Sequence, residues 1–67
     1  MTLYQWIALD KDSQALKVWN EGQFLAKVEE DETTKALYGL GSFYVEAIYN
    51  KSTNELEKLR GFLKERD

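Results

Sequence analysis

Apolar positions in this chain follow two periods, and the change between them falls near Gly22. Over residues 2–21 the spacing is helical. Thr2 followed by Gln5 has the form of a capping box, in which each side chain serves the other's free backbone N–H, and Leu3, Trp6 and Ile7 then share a face. The polar cluster Asp10-Lys11-Asp12-Ser13 interrupts, and Asp12 is a good N-cap for a second segment that carries Leu16 and Trp19 at i, i+3 with Ala15 and Val18 beside them. Gly22 is expected to end the segment in the left-handed conformation that glycine enters without a Cβ penalty. One bent helix and two short ones fit this pattern alike.

From Gln23 the period is two, the signature of half-buried strands. Phe24, Ala26 and Val28 alternate with Leu25, Lys27 and Glu29, which predicts a strand over about 23–29. A polar break from Glu30 to Thr34 suits a hairpin loop, and a second strand follows over 35–40. Gly41-Ser42 is a tight turn that supplies a residue free to take positive φ, so the third strand, 42–50, should pair with the second as a hairpin. In it Phe43, Val45, Ala47 and Tyr49 alternate with Tyr44, Glu46, Ile48 and Asn50. No proline interrupts any of these runs. After the turn at 50–53 local signals favour a helix: strong helix formers, Ser52-x-x-Glu55 as a capping box, and Leu56, Leu59 and Leu63 at helical spacing. As a strand, residues 55–62 match less well, with Leu56 and Phe62 on one face and Leu59 on the other.

The segments WNEGQFLA (19–26), LYGLGSFYVEAIYN (37–50) and, more loosely, NELEKLRGF (54–62) resemble a family of short, uncharacterised bacterial proteins. The shared order is a helix, a tryptophan and glycine before a first strand, then LY-x-L-x-x-FYVE-x-x-Y. It covers about half of the chain, and the FYVE string is unrelated to the zinc finger of similar name, whose cysteines are missing here. In that family the last segment alternates, with β-branched residues where this chain has Leu56 and Leu59. The resemblance therefore implies a fourth strand over 55–61, with the final residues frayed or helical. It implies no activity. The expected architecture is α+β: an N-terminal helical region packed on one face of a three- to four-stranded antiparallel meander, forming a single small domain over residues 1–67.

With 67 residues and no cysteine, the chain has a small core and no covalent staple, so a second copy is a natural source of further burial. Its hydrophobic content of 43% and charged content of 31% are ordinary for a globular protein. No apolar run reaches bilayer-spanning length and the N-terminus lacks the form of a secretory signal, so no membrane partner and a cytoplasmic location are expected. The net charge of −3 is concentrated in Glu29, Glu30, Asp31 and Glu32; the remainder is nearly neutral.

Histidine is absent as well as cysteine, which removes the usual general base, the thiol nucleophile and the transition-metal ligands. Ser13, Ser42 and Ser52 fall at cap or turn positions, where hydroxyls serve the backbone. The acidic run lacks the spacing that wraps a calcium ion and reads as a solvated hairpin tip. The expectation is a protein that is not an enzyme, with no catalytic residue, no metal and no cofactor. Aromatic residues on an open sheet can stack on bases, but here they come without interleaved lysine or arginine, and no basic stripe is visible. No nucleic-acid partner is expected.

What remains is the second face of the sheet. With Phe24, Val28, Tyr38, Leu40, Phe43, Val45 and Tyr49 turned to the helical region, Leu25, Leu37, Tyr44 and Ile48 are left on the other side, with Glu46 among them. Glu46 is expected to pair across strands with Lys35 or Arg60, since burying it alone would be costly. A solvated antiparallel face should be polar, and an apolar one marks an interaction surface. A tail that is a strand leaves this face open and favours a homodimer or another protein partner, through the face or an edge strand; a helical tail closes it. The alternative reading is a small-ligand or regulatory protein with a pocket between helix and sheet, lined by Trp6, Trp19 or Tyr38.

Overall fold

The chain runs through two short helices into a four-stranded antiparallel meander. A computed structural model describes residues 1–64, with α1 at Leu3–Ile7, α2 at Lys11–Glu21, β1 at Gln23–Glu29, β2 at Thr33–Leu40, β3 at Phe43–Asn50 and β4 at Glu55–Leu63. The strands lie in the order β1-β2-β3-β4.

The start of α1 is the capping box read from the sequence: the Thr2 N–H donates to Gln5 Oε1 at 2.8 Å, and the Gln5 N–H to Thr2 Oγ1 at 3.2 Å. Only Leu3 and Trp6 of this helix are buried; Ile7 is exposed. The N-cap of α2 is Asp10 and not Asp12, which lies inside the first turn, where its charge favours the positive end of the helix dipole. Gln14 holds the two helices together. Its side-chain amide donates to the Trp6 carbonyl at 3.1 Å, and the Trp6 indole N–H donates to the Gln14 carbonyl at 3.3 Å. Val18 is the buried residue of α2; of the expected i, i+3 pair, Leu16 is exposed, while Trp19 keeps one side open and lays its ring against Tyr38 and Tyr49.

Gly22 differs from expectation too. Its φ is −74° and its backbone is extended, so α2 passes directly into β1 without a left-handed residue. Glycine is needed there for room, because a Cβ would lie 2.5 Å from the Val18 carbonyl oxygen. Positive φ occurs instead at Gly41 (69°) and at Asn54 (59°). Gly41 and Ser42 form the two-residue connection between Leu40 and Phe43, with glycine at the first central position of a primed hairpin turn.

The tail is a strand and not a helix. Local helix signals lose because β4 pairs along β3 over nearly its whole length, from Asn50↔Glu55 to Phe43↔Leu63. Asn50 Oδ1 accepts from the Ser52 and Thr53 N–H groups at 2.8 and 3.3 Å and so builds the connecting turn, in place of a Ser52 helix cap. Phe62 and Leu63 continue the strand where frayed or helical residues were expected; residues 65–67 lie outside the described residues. The second strand also begins earlier than expected, because Thr33 and Thr34 pair with Asn50 and Tyr49.

The core lies between the helices and one face of the sheet. Leu3, Trp6 and Val18 meet Leu40, Phe43 and Val45, with Leu9, Tyr38 and Leu59 packed at its margin. The Trp6 and Phe43 rings are 6.1 Å apart.

Candidate functional site

The two faces of the sheet are sorted by register. Across the strands, the face away from the helices carries three rows. Val28, Lys35, Ile48 and Lys58 form the first; Ala26, Leu37, Glu46 and Arg60 the second; Gln23, Gly39, Tyr44 and Phe62 the third. Leu25 joins the third row through a β-bulge. The pairing of β1 with β2 slips between Phe24 and Ala26, and the extra residue, Leu25, packs over Gly39, 3.4 Å from where a Cβ would stand.

All five residues singled out from the sequence, Leu25, Leu37, Tyr44, Glu46 and Ile48, thus stand on this open face. Val28, expected toward the helices, joins them. Beyond the bulge the alternation of β1 inverts, so Val28 pairs with Lys35 on the open side while Lys27 pairs with Ala36 on the helical side. Simple alternation cannot reveal this, because an inserted residue shifts every later side chain to the other face. Phe62 was missed for a related reason: its neighbour on this face is fixed only once the tail is a strand. Its ring lies 5.7 Å from that of Tyr44.

The electrostatics of the face also depend on β4. Lys58, Arg60, Phe62 and Lys64 alternate along it, with Arg60 6.0 Å from the Phe62 ring and the Lys64 ammonium 5.1 Å from the Tyr44 ring. Aromatic and basic residues are therefore interleaved here, contrary to the sequence reading. Glu46 stands directly opposite Arg60, yet among the described residues neither Arg60 nor Lys35 forms an ion pair with it: Arg60 lies near Phe62, and Lys35 goes to Glu30 at 3.1 Å. Glu46 is left as a half-buried residue in the middle of the face, between Leu37 and Arg60.

The helical side has a different feature beyond the end of the helices. An open groove of about 480 Å³ is lined by Phe24, Lys27, Tyr38, Tyr49 and Lys51, with Thr34 and Ala36 among the other residues along it. Tyr38 is the one residue of the expected pocket that lines it. Trp6 is buried in the core, and Trp19 is packed edge-on against Tyr38 at 5.5 Å and stacked on Tyr49 at 6.4 Å. Burial and then the neighbouring Tyr38 phenol push the Tyr49 hydroxyl above its ordinary value of 10.0. Because the folded state holds this proton more tightly, the associated stability is intact below pH ~10 and falls as pH rises through the folded value. Thermal melts between pH 9 and 11 should show a steeper alkaline decline for the wild type than for Tyr49→Phe. Equal slopes would rule out a linkage through Tyr49.

Among the described residues no helix is long and apolar enough to cross a membrane. Nor do three or more acidic side chains among them converge as metal ligands do. Comparisons of the chain with protein-family models, with curated proteins and with solved structures found no match. What the molecule does must be read from its surfaces.

Proposed function

We propose that this protein is a non-enzymatic interaction module that forms a homodimer through the open face of its sheet. The observation that carries this reading is the apolar content of that face: Leu25, Val28, Leu37, Tyr44, Ile48 and Phe62 lie there with no element among the described residues over them. Contiguous apolar surface of this kind marks contact with another molecule. An edge-to-edge dimer is favoured less, because both outer strands carry a bulge, at Leu25 in β1 and next to Tyr49 in the β3–β4 ladder, and bulges blunt strand addition. The molecule measures 33 × 30 × 16 Å, so its broad face is of the order of the roughly 800 Å² per partner in a standard interface. A bacterial setting, which rests on the sequence resemblance, and a cytoplasmic one, which is the default expectation for a chain with no apolar run of bilayer-spanning length, belong to the proposal.

Light scattering coupled to size exclusion, run over a concentration series, tests this directly. The expected species is a dimer of the 7.8 kDa chain. Leu37→Lys or Ile48→Lys should weaken it by about 30-fold or more, since a charge forced into the centre of an interface costs about 2 kcal/mol or above, while circular dichroism stays folded. A wild type that remains a 7.8 kDa monomer at all concentrations would sink the proposal. So would salt-sensitive binding of a single-stranded oligonucleotide by that monomer, which would give the face to stacking by Tyr44 and Phe62 instead.

A further inference from the structure

From the charge pattern of the open face we infer the geometry of the dimer: two sheets packed face to face with their strands crossing steeply, about a two-fold axis that runs diagonally along Leu25, Leu37 and Ile48. This inference rests on the open-face dimer proposed above and deepens it by assigning which residues meet.

A two-fold axis lying between two stacked sheets can run along the strands, across them, or along either diagonal. Each choice pairs different residues, and the register decides among them. An axis along the strands lays Glu46 over the partner's Leu37 and Lys35 over the partner's Ile48, so both charges lose water without gaining a counter-charge. An axis across the strands, through the middle row, sets Glu46 on the partner's Glu46 and Arg60 on the partner's Arg60. The diagonal through Lys35 and Glu46 likewise brings each of them onto its own copy. Like charges placed together in this way are strongly disfavoured.

The remaining diagonal has none of these faults. Leu25, Leu37 and Ile48 descend one strand and one row at a time from β1 to β3, so they lie on one line. On that axis each meets its own equivalent, which for an apolar side chain is favourable. Lys35 and Glu46 flank Leu37 on opposite sides of the line, one beside it along β2 and the other across from it on β3. The two-fold therefore lays Lys35 over the partner's Glu46, and Glu46 over the partner's Lys35. Arg60, next outward from Glu46, comes over the Glu30–Lys35 pair of the other copy. Two acids and two bases then alternate, and Glu46 gains an ion-pair partner that it lacks among the described residues of its own chain. Strand spacing of about 4.8 Å and row spacing of about 6.7 Å give this diagonal a steep crossing, the orthogonal class of sheet packing.

Exchanging the two charges tests the arrangement. Lys35→Glu alone and Glu46→Lys alone should each weaken the dimer by ~10-fold or more, because each places like charges together twice. An equimolar mixture of the two variants, one of them ¹⁵N-labelled, should form heterodimers almost exclusively in native mass spectrometry, with affinity restored toward wild type. The double variant K35E/E46K should recover the homodimer. Circular dichroism of each variant verifies that the monomer fold is kept. A wild type that is monomeric overturns the open-face dimer itself. A wild-type dimer whose variants mix statistically, or whose double variant stays dissociated, overturns the diagonal arrangement and leaves the open-face dimer standing.

Discussion

Replacement of Trp6 by alanine is expected to remove most of the stability of the fold. Trp6 is 2% exposed, lies against Phe43, and joins α1 to α2 through the paired bonds with Gln14. Truncating a buried tryptophan costs about 3–5 kcal/mol. A chain of this length has on the order of 3–10 kcal/mol in total, at roughly 0.05–0.15 kcal/mol per residue, so the variant sits at the edge of unfolding. Trp6→Phe keeps much of the ring and loses the indole N–H donated to the Gln14 carbonyl; a smaller loss, about 1–2 kcal/mol, is expected. Urea denaturation followed by circular dichroism measures both. A Trp6→Ala protein that unfolds within 1 kcal/mol of wild type would mean that the helices do not depend on this contact.

Gly61→Ala gives the second large effect, and its sign distinguishes the two readings of the tail. In a helix, alanine in place of glycine would stabilise by about 1 kcal/mol. In the strand seen here a Cβ on Gly61 would lie 2.7 Å from Leu3 Cδ1 and 2.8 Å from Trp6 Cζ3. The leucine tip can give way, but the indole is held by Phe43 and Gln14, so overpacking of about 1–3 kcal/mol is expected to exceed the gain of about 0.5–1 kcal/mol from removing a flexible residue. Gly39→Ala is the internal control. It lies on the open face, and its Cβ would meet only Leu25, at an ordinary 3.4 Å, so its change should stay within about 1 kcal/mol. A Gly61→Ala protein more stable than wild type would overturn the packing of β4 under α1.

Both substitutions act where β4 meets the helices, and that junction also explains why the second face is left bare. Once β4 pairs with β3, it supplies Leu59 and Gly61 to the core side, and among the described residues no further element follows it to cover the other. The same pairing brings Arg60 opposite Glu46 and Phe62 opposite Tyr44. The candidate surface is thus a consequence of the strand.

Much of this was legible in the residues. The switch of hydrophobic period at Gly22, the Thr2–Gln5 cap, the Gly41-Ser42 turn and the alternation of Phe43 to Asn50 are local, and they suffice for the α+β class, the meander and four of the five face residues. Leu25 was placed on the correct side as well, although the bulge that holds it over Gly39 was not foreseen.

Other features are decided only by contact between distant parts of the chain. The helical propensity of residues 55–63 amounts to a few tenths of a kcal/mol per residue, and pairing with β3 outweighs it. The slip at Phe24/Ala26 depends on how β1 fits against β2, and it alone turned Val28 to the open side and Lys27 to the groove. Gly22 and Gly61 are glycines for want of space beside Val18 and Trp6, which no local pattern encodes. The sequence by itself determined the elements and their apolar sides; tertiary pairing decided the identity of the last element, the phase of the first strand and the charge of the open face, because each of these is set by a neighbour remote in the chain.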